Sequence, residues 1–349
     1  MNVHLVKDNK MKKIRIQDAI GCELFHDITK ILPGEFKGVA FKRGHIIKEE
    51  DIDELLSIGK DHVYIYEKDD DTVHENDACN IIKDLIAGDH LKESSIQEGK
   101  INLFAKEDGL LKINLSLLYE INLSGEIIIS TLHNDMPVKK GRKAASLKII
   151  PLVIKNEKLD NLKSLLKNRK VINIKPFKKI KIGAITTGNE VYHGRIKDKF
   201  DPVLREKALE YDCEYLGQIF CPDDKEKIGS AIKDWVKRNA QMIICTGGMS
   251  VDPDDVTPSA IKESGAKIVS YGSPVLPGAM FLISYKGNVP IIGLPGGAIF
   301  SKRTVFDIVF PKILAEEEIT SSYIAALGHG GLCMDCPVCV FPNCGFGKG

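Results

Sequence analysis

The sequence predicts an α/β protein whose C-terminal half folds as a mostly parallel sheet with helices on both faces. Three observations predict it. From residue 181 onward, apolar runs of strand length alternate with amphipathic segments of helix length, which is typical of a parallel sheet. Glycines and carboxylates follow these runs, and ligands bind at the carboxyl ends of strands in open α/β sheets. The preceding half has shorter alternating runs, which predict smaller β-rich and α+β segments.

Length and composition limit the classes of protein that fit. The 349 residues are more than one hydrophobic core usually holds, so two or three domains are expected. The formal net charge of +1 argues against nucleic acid as the main partner. No apolar run has the length of a bilayer span, and residues 1–13 lack the apolar core of a signal peptide. We therefore expect a cytoplasmic protein with no membrane partner, whose nine cysteines are reduced.

The N-terminal segment, residues 1–68, predicts short strands with glycine turns around one helix. That helix covers residues 48–59, because acidic residues fill its first turn and a glycine ends it. A strand at 62–67 follows, and the charged run 68–77 marks the domain boundary.

The middle region, residues 76–178, predicts an α+β unit. Residues 78–87 have a helical pattern. Residues 100–105 and 110–115 alternate like strands, and Asp108–Gly109 between them predicts a hairpin turn.

The third predicted domain, residues 179–318, carries the regular alternation. Asp224 is placed to cap one of its helices. Its predicted strands are 180–185, 217–221, 242–245, 267–271, 277–285 and 288–294, and its predicted helices are 203–215, 225–238, 259–264 and 300–314.

The stretch Met242–Pro258 has the composition of an anion site with a cation beside it. An apolar strand ends at Gly247–Gly248, and Ser250 and three carboxylates follow before the next helix: Asp252, Asp254 and Asp255. A strand, a glycine loop and a helix present free backbone N–H groups to an anion. Carboxylates beside an anion require a cation between them, which predicts a phosphate and a divalent metal. An ordinary turn with solvated aspartates is the alternative.

Special residues follow five of the predicted strands or lie at their ends. They are Thr186–Glu190, Asp223–Asp224, Thr246–Asp255, Pro277–Gly278 and Gly293–Gly297. Because the carboxyl ends of parallel strands share one edge, we expect these residues to converge there, which favours a ligand site over unrelated turns.

These motifs, in this order and spacing, resemble the molybdopterin-binding domain of molybdopterin molybdenumtransferases and gephyrin. The resemblance covers residues 179–315, and residues 13–67 are similar to the N-terminal segment of that family. It implies a three-layer α/β domain in a multidomain, usually homodimeric protein. The implied reaction inserts molybdate into the dithiolene of molybdopterin, from an adenylylated intermediate, with magnesium.

The resemblance also implies roles for individual residues. Asp255, Glu190 and Asp223 match acidic residues that act in catalysis, and Asp255 and Glu190 would hold magnesium or molybdate. The implied molybdopterin-binding residues are Thr187, Gly188, Asn189, Thr246, Gly247, Gly248, Ser250, Pro277, Gly278, Pro295, Gly296 and Gly297.

Departures from the family pattern leave two further functions open. Lys37 stands where the family usually has an aspartate, and Ala279 and Gly297 replace its usual lysine and asparagine. These changes favour a non-catalytic carrier that delivers molybdopterin to a molybdenum hydroxylase. A molybdopterin adenylyltransferase is the third reading, because Asp254–Ala260 resembles that sister family.

The cysteine-rich tail, residues 328–349, lies beyond the resemblance. Its spacing is C-x2-C-x2-C-x4-C, formed by Cys333, Cys336, Cys339 and Cys344. Thiols this dense can hold a [4Fe–4S] cluster or a tetrahedral zinc. The alternatives are a flexible tail that forms incidental disulfides, or an arm of soft ligands that handles molybdenum, copper or sulfur.

Overall fold

The computed structural model divides the chain into two compact units. The N-terminal unit comprises the described residues of Met1–Phe104, Asn114–Thr131 and Lys143–Ile172, and the C-terminal unit comprises those of Ala105–Ile113, Leu132–Arg142 and Asn173–Gly349. The structure describes residues 11–32, 34, 36–66, 70–250 and 255–349. The bounds of the four predicted segments stay predictions beside this division.

Nineteen strands and ten α-helices are assigned within the described ranges. The strands are β1 (Met11–Arg15), β2 (Ile28–Leu32), β3 (Phe36–Phe41), β4 (His62–Tyr66), β5 (Thr72–His74), β6 (Leu91–Glu93), β7 (Lys100–Ala105), β8 (Gly109–Ile113), β9 (Ile127–Thr131), β10 (Pro137–Val138), β11 (Lys143–Ile149), β12 (Val153–Lys155), β13 (Ile172–Pro176), β14 (Lys181–Thr187), β15 (Glu214–Cys221), β16 (Met242–Thr246), β17 (Lys267–Tyr271), β18 (Leu282–Lys286) and β19 (Val289–Leu294). The helices are α1 (Ile52–Ser57), α2 (Glu75–Ile86), α3 (Leu115–Leu123), α4 (Asn156–Leu166), α5 (Asn189–Tyr192), α6 (Phe200–Glu210), α7 (Lys225–Lys237), α8 (Thr257–Glu263), α9 (Val305–Leu314) and α10 (Ser321–Ala326). No helix among the described residues is long and apolar enough to cross a membrane.

The N-terminal unit is built from small antiparallel sheets. β1 pairs with β4, β2 with β3, and β5 with β12, and a four-stranded sheet has the order β6-β7-β11-β9. The predicted helix at 48–59 is confirmed as a 3₁₀ turn at Glu49–Asp51 followed by α1.

The predicted hairpin at Asp108–Gly109 is wrong. β7 pairs with β11, whereas β8 lies in a different sheet between β10 and β13. Gly109 has no positive φ, so it does not form the tight hairpin turn that this dipeptide favours. A Cβ there would lie 2.5 Å from the carbonyl oxygen of Lys175 on β13, so the glycine permits a close approach of two strands.

The C-terminal unit contains a six-stranded sheet of order β15-β14-β16-β19-β18-β17. β15, β14, β16 and β19 are parallel, and β18 runs antiparallel to both of its neighbours. Alternate residues of β16 enter two different cores: Met242 and Ile244 pack with α6 and α9, while Ile243 and Cys245 pack with α7 and α8. The predicted mostly parallel sheet with helices on both faces is therefore confirmed.

Two predicted helix bounds need correction, and one predicted cap is confirmed. The helix predicted at 203–215 ends at Glu210, because Asp212 takes a left-handed φ of 55° and β15 begins two residues later. The helix predicted at 300–314 begins at Val305, where Thr304 and Asp307 form a capping box. Asp224 caps α7 as predicted, since its side chain accepts from the backbone N–H of Lys227 at 3.0 Å.

The cysteine-rich tail packs on the core of the C-terminal unit, contrary to a flexible tail. Phe346 is 4% exposed, and a Cβ at Gly347 would lie 2.7 Å from the Ile308 side chain on α9. Cys333 and Cys344 also contact this core. The cysteines of the described residues, these four included, are free of disulfides.

Candidate ligand site at the carboxyl edge of the sheet

The predicted site residues follow a row of cross-strand pairs at the carboxyl ends of the strands. Thr187 at the end of β14 pairs with Cys221 of β15, and Thr186 pairs with Thr246 at the end of β16. Thr246 pairs with Leu294 at the end of β19. The structure thus brings the loops after these four strands to one edge, as the sequence predicts.

The loop before β18 reaches the same edge because β18 is antiparallel. Its first residue, Leu282, pairs with Gly293 of β19 and with Tyr271 at the end of β17. Adjacent strands lie about 4.8 Å apart, so the row from β14 to β18 is about 14 Å long. This edge can therefore contact an extended ligand along several loops.

The strand order reverses direction between β14 and β16. The chain passes from β14 outward to β15 and then returns to the other side of β14 as β16. Loops diverge at such a point and leave a crevice between the two carboxyl ends, which is where open α/β sheets bind ligands. The Thr187 hydroxyl donates to the Thr246 carbonyl at 3.3 Å, so the crevice expected here belongs to the loops that follow the two strands.

Buried threonines fix the two loops at this crevice. The hydroxyls of Thr186 and Thr246 are 2.9 Å apart, and the hydroxyl of Thr187 lies 3.0 Å from that of Thr257 on α8. The Gln218 side chain also donates to Thr186. All four threonines are at most 4% exposed, so the hydroxyls of the two predicted ligand residues, Thr187 and Thr246, position loops. Thr257 was not among the predicted site residues, and Thr186 was predicted only as part of the segment Thr186–Glu190.

The glycine pair after β16 is required by the backbone. Gly247 has φ +84°, and a Cβ there would overlap the carbonyl oxygen of Thr187. Gly248 has φ +54°, and its Cβ would lie 2.7 Å from the hydroxyl of Thr257. Left-handed φ values and these close contacts both exclude larger residues. The predicted anion loop therefore has its shape before any ligand binds.

Asp223 holds the loop after β14. Its Oδ2 accepts from the backbone N–H of Asn189 at 3.0 Å, and this contact connects the ends of β15 and β14. Gly188 has φ +132° and donates its N–H to the carbonyl of Cys221 at 3.2 Å. Glu190 folds back over this turn, since its Oε2 would lie 3.3 Å from a Cβ at Gly188. Asn189 and Glu190 are exposed at the edge.

Asp255 and Tyr271 hold the loop after β16. The carboxylate of Asp255 accepts from the backbone N–H of Ser250 at 2.7 Å, so this amide is bonded within the loop. The hydroxyl of Tyr271, a residue absent from the predicted set, donates to the carbonyls of Met249 at 3.0 Å and Ser250 at 3.3 Å. Burial and the nearby charge of Asp255 raise the pKa of Tyr271, which keeps its phenol protonated as a donor.

Helix α9 positions the loop before β18. Val305, its first residue, donates its N–H to the carbonyl of Pro277 at 3.2 Å. Gly278 has φ +125°, and a Cβ there would lie 2.6 Å from the Val305 side chain. This predicted glycine is thus fixed by packing within the protein.

Gly296 and Gly297, after β19, differ from the preceding glycines in that the fold does not require them. Both are exposed, neither has a positive φ, and a Cβ on either would have no atom within 4 Å. Neither packing nor backbone conformation within the described structure requires a glycine at these positions. Close approach of a ligand to the Pro295–Gly297 backbone would require it.

The carboxylates of this edge suit magnesium in their chemistry. Magnesium takes oxygen ligands and is usually bound by one or two carboxylates together with substrate phosphates. Across the described residues no three acidic, histidine or cysteine side chains gather as a metal cage. Asp252 and Asp254 lie outside the described residues, as does the side chain of Lys37.

Comparison with known families matches the segment that carries this edge. Residues 183–315 match the family described as a probable molybdopterin binding domain. Over these residues the chain is similar to that family. The predicted resemblance is thereby confirmed for this domain. Residues 13–67 match a domain of unknown function, so their similarity to the N-terminal segment of molybdenumtransferases stays a prediction.

Curated relatives match parts of the chain. Molybdopterin molybdenumtransferase of Haemophilus influenzae is 24% identical over 156 residues, which are 43% of this chain and 38% of that protein. Molybdopterin adenylyltransferase of Pyrococcus furiosus is 30% identical over 95 residues, which are 27% of this chain and 56% of that protein. A CinA-like protein of Mycobacterium tuberculosis is 28% identical over 75 residues, 22% of this chain and 17% of that protein. The chain thus spans less than two thirds of each relative.

Solved structures align with part of the chain at low scores. The tungsten cofactor synthesizing protein MoaB of Pyrococcus furiosus covers 39% of this chain and 93% of its own, with 23% identity and a TM-score of 0.33. A molybdenum cofactor biosynthesis protein of Pyrococcus furiosus covers 89% of this chain and 66% of its own, with 14% identity and a TM-score of 0.26.

Proposed function

We propose that this protein acts in molybdenum cofactor biosynthesis, binding adenylylated molybdopterin at the carboxyl edge and inserting molybdate into its dithiolene with magnesium. The observation that carries the proposal is the single row that brings the five motif segments to one edge of the sheet. An edge of this length suits an extended ligand with a phosphate at one end and a reacting centre at the other.

The phosphate would bind at the Gly247–Gly248 loop, whose shape the buried threonines fix in advance. Backbone N–H groups in positive-φ turns form concave sites for anions. The open backbone of Gly296 and Gly297 would contact the ligand further along the edge, where no side chain interferes.

Each acidic residue has a distinct proposed role. Asp223 keeps the loop after β14 in place through Asn189 and so acts as a positioning residue. Glu190 is exposed at the crevice and would hold magnesium or molybdate. Asp255 would share that cation through the oxygen that does not accept from Ser250. A bound divalent cation supplies charge stabilisation at the reacting oxyanion.

Molybdate insertion by the whole chain, assayed anaerobically, tests this function. Adenylylated molybdopterin, magnesium and molybdate are supplied, and pterin-bound molybdenum is quantified together with released nucleotide. Asp255→Asn keeps the acceptor for Ser250 but removes the charge, and insertion should fall at least tenfold. Asp212→Asn is the matched control, because Asp212 is exposed two residues before β15, at the opposite end of the sheet, and should leave the rate unchanged.

Two other outcomes would each replace the proposal. Tight pterin binding without insertion, with insertion gained in Lys37→Asp, identifies a carrier for a molybdenum hydroxylase. Adenylylation of molybdopterin from nucleoside triphosphate identifies an adenylyltransferase, the activity named for the Pyrococcus furiosus relative. We further propose a homodimer located in the cytoplasm, which equilibrium sedimentation and fractionation test.

A further inference from the structure

The four tail cysteines line a single cavity of about 440 Å³ in the C-terminal unit. Cys336 and Cys339 are exposed at its mouth, while Cys333 and Cys344 sit deeper against the core. Four free thiols around one cavity, outside the molybdopterin-binding domain, are not explained by the proposed reaction. We propose that this cavity binds an iron–sulfur cluster of the [4Fe–4S] type, with one cysteine on each iron.

The tail is folded around this cavity by contacts that do not involve the thiols. Gly347 donates its N–H to the carbonyl of Gly330 at 2.9 Å, which closes the segment on itself. Phe346 is buried in the core, and the guanidinium of Arg303 lies 5.2 Å from the ring of Phe341. Arg142 donates to the side chain of Asn343 at 3.0 Å. The thiols are therefore held around a preformed space.

The four thiols line one cavity, a space that a cluster of several irons can fill. Tetrahedral zinc requires sulfurs about 2.3 Å from the metal, so the sulfurs themselves must lie about 3.8 Å apart. No three cysteine, histidine or acidic side chains of the described residues are gathered closely enough to hold one ion. A cluster spreads its four thiolate ligands over separate irons and so suits thiols arranged around a wider cavity.

The side chains around the cavity also fit a cluster. Four large apolar residues of the tail remain exposed, between 48% and 75% of their surface: Leu332, Met334, Val338 and Val340. Leu332, Met334 and Val340 line the cavity and would cover a group bound in it. Lys302 lines the cavity and would offset part of the negative charge of four thiolates, whereas Arg303 is ion-paired with Glu210 and Asp307, and Asp335 adds a carboxylate to the lining. Each ligating thiol releases its proton when it binds iron.

The cavity borders the proposed molybdopterin edge. Cys333 donates its N–H to the carbonyl of Leu276 at 2.8 Å, and Leu276 donates to the carbonyl of Gly331 at 2.9 Å. Leu276 directly precedes the Pro277–Gly278 loop. Phe300, shortly after Gly297, forms part of the cavity wall. A cluster here would lie beside the site loops.

Anaerobic reconstitution tests the proposal independently of any reaction at the edge. The whole chain is incubated with ferrous iron, sulfide and a thiol reductant and then desalted, and iron, acid-labile sulfide and zinc are measured per chain. We expect about four irons and four sulfides with the visible charge-transfer absorption of a cubane cluster. In the double variant Cys336→Ala/Cys339→Ala, the iron content per chain should fall at least fourfold.

Cys213→Ala is the matched control, because Cys213 is half-buried against the same core but does not line the cavity. It should keep its iron. Unfolding followed by Trp235 fluorescence shows whether the apo double variant keeps its fold, as expected for two exposed side chains. One equivalent of zinc in place of iron, disulfides without metal, or unchanged iron in the folded double variant would overturn the proposal.

Discussion

Gly247→Ala should destabilise the C-terminal unit strongly, because two independent constraints act at this residue. Its φ of +84° lies in the left-handed region, and a Cβ would overlap the Thr187 carbonyl oxygen on β14. The left-handed conformation costs about 1–2 kcal/mol for alanine. Displacing packed backbone to admit the methyl group adds about 1–3 kcal/mol. The free energy of unfolding should therefore fall by about 2–5 kcal/mol.

Gly296→Ala is the matched comparison, since the same methyl group is added at the same edge. Gly296 has no positive φ, and nothing lies within 4 Å of its Cβ position. The free energy of unfolding should change by less than about 0.5 kcal/mol. If the ligand covers this backbone, however, the methyl group should weaken binding of adenylylated molybdopterin at least fivefold.

Tryptophan fluorescence is the appropriate assay. Trp235 is the one tryptophan of the sequence, lies on α7 and is 2% exposed, so its emission reports unfolding of the C-terminal unit. For a unit of this size, Gly247→Ala should lower Tm by about 4–20 °C. A fall below about 1 °C, or an equal fall in Gly296→Ala, would refute the distinction between a glycine the fold needs and one a ligand needs.

Three further predictions concern side chains that hold the unit or its site. Glu317 accepts hydrogen bonds from Lys112, Lys175 and Lys312. Burial alone would raise the pKa of Glu317, but these bonds outweigh burial and lower it to about 2. The unfolded chain binds more protons below pH 4.5, so acid titration should remove about 3 kcal/mol of stability as the pH falls to 2, and Glu317→Gln should flatten that slope. Tyr271→Phe should weaken pterin binding several-fold, as measured by calorimetry, while the free energy of unfolding falls by about 1 kcal/mol or less. An affinity equal to that of the unchanged protein would contradict the role of Tyr271 in holding the loop. Thr304→Ala should cost about 0.5–2 kcal/mol by Trp235 fluorescence through loss of the α9 cap, whereas Thr304→Ser should retain stability.

The parallel strands and the convergence of their loops at one edge could be predicted because they follow from short-range patterns. Apolar runs of strand length, with glycines and acids directly after them, identify parallel strands and their carboxyl ends. The Asp224 cap was equally predictable, since a capping side chain acts on the helix that begins at the next residue. Such features depend on residues a few positions apart.

Features that depend on contacts between residues far apart in the chain could not be predicted from the sequence. The sequence pattern around Gly109 predicts a hairpin turn. In the structure this glycine instead allows the close approach of β13, a contact that only the tertiary structure shows. Thr257 and Tyr271 hold the site loops from α8 and β17, far along the chain from the residues they contact. The packing of the cysteine-rich tail could not be predicted for the same reason, because the core that buries Phe346 is formed by residues elsewhere in the unit.

The threonine contacts at the crevice also bear on how much of this protein exists in folded form. Thr187 meets Thr257 across 70 positions of sequence, and Thr186 meets Thr246 across 60, so the site forms only when the unit has closed these long loops. A ligand that binds only this closed state stabilises it by about 2.7 kcal/mol at a hundred times its dissociation constant. The protein would thereby be longer-lived when its ligand is abundant, and its cellular abundance would rise with the ligand supply.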